Sequence, residues 1–89
     1  MVRVRFTTVF AERIGGISAV EVPATTVASA LRSVTDRYPE LARLVWLDQG
    51  VINPVMAVFV NDRQLQPGEL ETHLQAGDEI DIIPAAAGG

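Results

Sequence analysis

A single stripe of apolar residues at helical spacing, Val27, Ala30, Leu31, Val34 and Tyr38, lies in the middle of a chain whose other apolar residues follow strand patterns. This contrast constrains the fold more than any other feature. One helix with one apolar face must cover something, and the layer this chain offers is a sheet. Thr25 or Thr26 stands where a hydroxyl can accept from a free backbone N–H at the helix start. Pro39 closes the helix, because the residue before proline avoids helical geometry. Leu41, Leu44, Val45 and Leu47 then predict a second, short helical turn. Asp48-Gln49-Gly50 and Asn53-Pro54 read as loop.

Before the stripe, Val2, Val4 and Phe6 alternate with Arg3, Arg5 and Thr7, the period of a half-buried strand. Gly15-Gly16 supplies a turn with freedom at positive φ. Ile17, Ala19, Val20 and Val22 return as a second strand, stopped by Pro23, so the two runs predict an N-terminal hairpin with a long loop. After the stripe, the run VMAVFV from Val55 to Val60 is bounded by Pro54 and Asn61-Asp62. It predicts a central strand buried on both faces. Arg63 to Leu65 predicts a short partner strand, Pro67-Gly68 a turn, and Leu70 with Leu74 a single helical turn. Gly77-Asp78 turns the chain into EIDII, a last strand with Ile80 and Ile82 on one face, ended by Pro84. The order β-β-α-β-β-β predicts an α+β domain. Its mixed sheet has four to five strands, with one main helix across one face.

Composition narrows the function. At 89 residues the chain is one domain, and 48% apolar with 20% charged residues is globular usage. A net charge of -4 argues against nucleic-acid backbones, which attract a surplus of Lys and Arg, and suits a basic protein partner. The chain contains no cysteine, hence no disulfide, thiolate nucleophile or zinc knuckle. No apolar run approaches the roughly 20 residues that span a bilayer. The alternating N-terminus does not read as a signal peptide. A soluble, cytoplasmic protein with no membrane partner is expected. Every basic residue is arginine, which a general bias of Arg over Lys explains more simply than a need to avoid acylation.

No residue set within the chain reads as catalytic. His73 sits in a polar stretch among Glu71, Thr72 and Gln75. Ser18, Ser29 and Ser33 have no motif around them. The alternation Asp78-Glu79-x-Asp81 fits the solvated face of the last strand better than a cation site, and no metal is expected. Gly15-Gly16 lacks the setting of a phosphate-binding loop.

The remaining candidate is the end itself, IIPAAAGG. Five residues, Ala85, Ala86, Ala87, Gly88 and Gly89, follow a core strand. Extended, they reach roughly 17 Å, enough to thread a partner's narrow active site. Glycine lets another protein's catalytic groups approach the carbonyl closely. A boundary is therefore expected between a domain at 1–84 and a flexible tail at 85–89. Little apolar area is available there to offset an ordering cost of about 1–2 kcal/mol per residue. The terminal carboxylate, with an ordinary pKa near 3.3–3.7, is an inert anion that a partner must activate, for example with ATP.

Strand order and tail together resemble the β-grasp, ubiquitin-like sulfur-carrier family, which serves thiamin, molybdopterin and cysteine biosynthesis. The resemblance is carried by FTTVFAERIGG with Phe6, Glu12 and Gly15, by TTVASAL, by FVND, and above all by GDEIDIIPAAAGG. It implies a β-grasp fold and a carrier that is not itself an enzyme. It implies that Gly89 is adenylated by an E1-like adenylating and sulfurtransferase enzyme, and then becomes a thiocarboxylate that serves a sulfur-accepting synthase. Gly88 and Ala85–Ala87 would thread the partner, ATP would be consumed by that partner, and no cofactor would be bound by this chain. The exposed sheet face would dock the partner. The Pro-x-x-x-Gly-Gly ending and the long Pro39–Pro54 connection are closer to the molybdopterin-synthase small subunit and the cysteine-pathway carrier than to the thiamin carrier. Arg3, Arg5 and Thr7 on the outward face of the first strand fit a transient carrier better than a permanent apolar complex. Two other readings use the same tail differently: a protein modifier joined to targets through Gly89, and a β-grasp interaction module whose tail is idle.

Overall fold

The computed structural model describes residues 1–48 and 50–84. Strand β1 (Val2–Phe6) is followed by a short helix α1 (Thr8–Glu12), strand β2 (Ala19–Val22) and the main helix α2 (Val27–Arg37). A 3-10 turn at Pro39–Leu41 leads into α3 (Ala42–Val45), then β3 (Trp46–Asp48) and β4 (Val51–Ile52). Strands β5 (Met56–Val60) and β6 (Arg63–Gln64), a second 3-10 turn at Pro67–Glu69 and β7 (Glu79–Pro84) complete the order. Five strands form one mixed sheet in the order β2, β1, β7, β5, β6, while β3 and β4 make a separate two-stranded ribbon. Strands β1 and β7 run parallel, and the other neighbours are antiparallel. This is the β-grasp architecture, an α+β domain with its main helix across one sheet face.

The burial pattern follows the sequence periods. Val2, Val4 and Phe6 face the helix with Val20 and Val22, while Arg3 and Arg5 face outward. Val27, Ala30, Leu31 and Val34 of α2 are fully buried against Ile80 and Ile82 of β7 and Met56 and Val58 of β5 in one core. Thr26 is the cap of α2. Its hydroxyl accepts from Ser29 N–H at 3.1 Å, and the Ser29 hydroxyl accepts from Thr26 N–H at 3.1 Å. The two together form a reciprocal box that satisfies two otherwise orphaned donors.

Several local expectations give way to tertiary context. The N-terminal loop contains α1, whose Phe10 and Ala11, with Ile14 beyond, close one end of the core. Gly15 and Gly16 do turn the chain, at φ of 78° and 89°. The helical segment after Pro39 stops at Val45, so Leu47 lies on the ribbon and is exposed. The stretch around Gly50, expected as plain loop, is the connection between β3 and β4. Trp46 anchors that ribbon by donating from Nε1 to the hydroxyl of buried Thr35 at 3.1 Å. The run from Val55 is not the central strand: that place belongs to β7, and β5 lies next to the short edge strand β6, with Phe59 and Val60 only half-buried. A 3-10 turn precedes Leu70 where a helical turn through Leu74 was expected, and His73 bridges to Thr26 instead. Pro84 is paired with Met56 as the last residue of β7, so it belongs to the strand it was expected to stop.

The two-residue turn between β5 and β6 places both Asn61 and Asp62 at positive φ, 48° and 72°, the geometry whose twist suits a tight hairpin. Asn61 also ties this turn to the start of β7. Its side-chain oxygen accepts from Glu79 N–H at 3.0 Å, and its amide donates to the Asp78 carboxylate at 3.1 Å. The same carboxylate accepts from Gln75 N–H at 2.8 Å.

Two predictions follow from packing and charge. Leu31→Ala should destabilise the domain by about 2–5 kcal/mol in a denaturant titration, through lost transfer energy and a residual cavity. The Asp78 carboxyl lies below its ordinary range because Gln75 N–H and then the Asn61 amide favour its anion, and Gln66 N–H does the same for Glu69. Depressed folded values mean that both contributions are present above the unfolded pKa of about 4 and are lost as pH falls through the folded value. The melting temperature should therefore fall on acidification below about pH 4, and Asp78→Asn should make that fall shallower.

Candidate functional site: the exit of the last strand

The strand directions bring four strand ends to one end of the molecule. Because β1 and β7 are parallel, Phe6 lies beside Ile82 where both strands finish. Because β5 runs the other way, its first residue Met56 lies beside Pro84. Ala19, the first residue of β2, lies beside Arg5 near the end of β1. The chain therefore leaves the centre of the sheet at Pro84, with flanking segments on both sides.

Those flanking segments carry exposed apolar residues. Val9 follows β1 and Val55 precedes β5, at 54% and 44% exposure, and Ile17 precedes β2 with Ile83 on β7 itself, both at 37%. Isolated exposed apolar residues need no explanation, but these four come from four segments and gather at the end where β7 finishes.

The outer sheet face changes character along β7. Toward its start, Glu79 and Asp81 face the arginines of β1. Arg5 clamps Asp81 with two bonds, Nε to Oδ1 at 2.7 Å and Nη2 to Oδ2 at 2.9 Å, and reaches Glu79 at 3.7 Å. Arg3 sits more loosely, 4.0 Å from Glu21 and 3.9 Å from Glu79. The Asp81 hydrogen bonds and charge push the Arg5 guanidinium further above its ordinary pKa, so it stays cationic under all working conditions. Toward the end of β7, Ile83 pairs with Ala57, and Phe59 flanks Asp81 from β5. The face is thus a latticed charge network on one half and an apolar surface beside the exit.

Ala85, Ala86, Ala87, Gly88 and Gly89, expected to thread a partner and to carry the reactive carboxylate, lie outside the described residues, as does the expected flexibility of that stretch. The structure places their point of attachment, Pro84. Sequence reasoning missed the surrounding apolar residues, which are separated by up to 74 positions between Val9 and Ile83. One signal was available: Ile83 carries an apolar side chain at the polar parity of EIDII, immediately before the tail. Among the described residues, no three of His, Cys, Asp and Glu gather as a metal site, and no helix is long and apolar enough to cross a membrane.

Comparison with known proteins places this geometry. The ThiS family matches residues 4–89. A provisionally named sulfur carrier protein of Archaeoglobus fulgidus is 32% identical over 74 residues, covering 82% of this chain and 81% of that protein. A chain in the crystal structure of the Amycolatopsis orientalis BexX/CysO complex has a TM-score of 0.84 at 29% identity and covers 100% of both chains. The small archaeal modifier protein 1 of Methanosarcina acetivorans has a TM-score of 0.87 at 26% identity, covering 99% of this chain and 95% of its own. With all of β2 to β7, the main helix, most of β1 and the terminal block inside the matched span, this chain belongs to the ThiS family of β-grasp sulfur carriers.

Proposed function

We propose that this protein carries sulfur on the terminal carboxylate of Gly89 and acts as the protein co-substrate of an E1-like activating enzyme. The observation that carries the reading is the exit of β7: the most firmly paired strand of the sheet ends at Pro84 among exposed apolar residues and is followed by Ala-Ala-Ala-Gly-Gly. A carboxylate oxygen of Gly89 attacks the α-phosphorus of ATP and expels pyrophosphate. Hydrosulfide, or a donor that delivers it, then attacks the acyl carbon and expels AMP, leaving a thiocarboxylate and a proton. The thiocarboxylate sulfur is a soft nucleophile that a synthase takes up. The chain itself contributes positioning, and the activating enzyme contributes the nucleotide site.

In this reading the apolar residues around the exit dock the activating enzyme, and the rim of charges on β1 and β7 sets orientation. Rim charges tune encounter and specificity more than they add affinity. The Arg3–Arg5 network therefore suits a partner that binds and leaves.

A second use of the same tail is favoured by one specific likeness. The Methanosarcina acetivorans neighbour is named a small modifier protein. An activated Gly89 attacked by a target's amine instead of by sulfide would yield an amide conjugate. Intact mass of the protein isolated from producing cells separates the two uses. Replacement of one oxygen by sulfur supports the carrier, and heavier protein adducts support the modifier.

Deleting Gly88 and Gly89 should abolish ATP–pyrophosphate exchange with the cognate activating enzyme while leaving the melting temperature unchanged. The shortened chain would present its carboxylate about 7 Å short, where a misplacement of about 1 Å already costs a hundredfold. Undiminished exchange would refute the carrier reading. Ile83→Asp should raise the KM for the carrier in the same assay by about tenfold, with little change in kcat, as expected for loss of an apolar anchor worth about 1–2 kcal/mol.

A further inference from the structure

The sheet has an open edge at β2 that the function of the tail does not use. The edge is regular and its register is defined. Phe6 N–H donates to the Ser18 carbonyl at 2.8 Å. In the alternating antiparallel pattern, the pairs Val4–Val20 and Val2–Val22 then exchange the bonds between β1 and β2. The N–H and C=O groups of Ala19 and Glu21 consequently point away from β1. No hydrogen bond reaches these four groups from the described residues. Beside them runs an open groove of about 530 Å³ between β2 and the C-terminal end of α2, lined by Arg3, Ile17, Ala19, Glu21, Arg37 and Tyr38 among others.

The groove has a distinct chemistry. Ile17 and the ring of Tyr38 offer apolar surface, and the Arg37 guanidinium stands 5.7 Å from the centre of that ring. Arg3 and Glu21 face each other at 4.0 Å, so their charges largely offset. No carboxylate among the described residues lies within ion-pair distance of Arg37. The lining thus holds two arginines against one glutamate, and its uncompensated charge is Arg37. An added strand would satisfy the four backbone groups, as an exposed edge invites. Strand alternation would send successive side chains of that segment to the Ile17 side and to the Tyr38–Arg37 side.

We infer that the β2 edge is a docking site for an extended peptide segment, which adds as a sixth strand and sets a carboxylate side chain against Arg37. The site shares Ile17 with the apolar surround of the β7 exit but is centred on the β2 edge and Arg37, and no step of the tail's chemistry involves that edge.

The test uses the isotopically labelled full-length protein and the capped pentapeptide Thr-Val-Glu-Val-Thr, followed by amide shifts and hydrogen exchange. Saturable shifts are expected at Ala19, Glu21 and Tyr38, with slowed exchange of the Ala19 and Glu21 amides. The same peptide with Lys in place of Glu should bind about fivefold more weakly, the scale of a partly exposed ion pair. Arg37→Ala, at an exposed position, should keep the folded spectrum and remove the preference for the Glu peptide over its Gln analogue. Three results would overturn the inference: no saturable shift up to about 5 mM peptide, shifts centred on Val55 and Ile83, or self-association of the protein alone that protects the same amides. The assay contains no activating enzyme, so its failure and the failure of the carrier reading are independent.

Discussion

The last strand of the chain occupies the middle of the sheet, and most of the architecture depends on that placement. Strand β7 pairs in parallel with β1 on one side and antiparallel with β5 on the other. Its inward residues Ile80 and Ile82 are buried between the sheet and α2. Parallel pairing of β1 with β7 requires a long crossover, and α2 lies in that crossover, so one arrangement provides both the sheet's centre and the cover for its apolar face. The strand that joins the two halves is also the one that leads directly into the tail. Pro84, where the terminal residues attach, is therefore held by a strand paired on both sides.

The same placement explains the two-part character of the outer face. Each strand alternates, so inward apolar residues oblige the outward positions to be something else, and here they are arginines on β1 opposite acids on β7. The Arg5–Asp81 fork gives this half a fixed geometry. At the other half, the segments that enter or leave the strands bring in Val9, Ile17 and Val55 beside Ile83 of β7, and the surface becomes apolar where the chain departs. A charged lattice beside an apolar exit provides orientation and contact area in adjacent zones, the anatomy of an interface with a polar rim.

How far the sequence could be read varies with the kind of signal. The stripe of Val27, Ala30, Leu31 and Val34 and the alternation of Val2, Val4 and Phe6 were legible because local period and burial coincide. Helix α1 was not, since five residues of TVFAE carry too short a period to register. They are held as a helix because Phe10 and Ala11 plug the end of the core. The β3–β4 ribbon was hidden for a related reason. Its two and three residues cannot specify strand by themselves, and it depends on Trp46 packing across α2 and donating to Thr35. The VMAVFV run was read correctly as strand and misplaced as central, because continuous hydrophobicity reports burial on two faces and says nothing about where a strand stands in the order of the sheet.

The sequence by itself determined the α+β class, the helix that covers the sheet, and the inward and outward faces of β1, β2 and β7. All of these are properties of neighbours along the chain, where period and composition act directly. Only the tertiary structure decided which strand is central, which apolar residues surround the exit of β7, and which edge remains open beside Arg37. Those depend on pairing between segments up to nearly eighty positions apart, such as Arg3 with Glu79. Strand register is chosen by the joint burial of all the apolar faces at once, a condition that no short stretch contains.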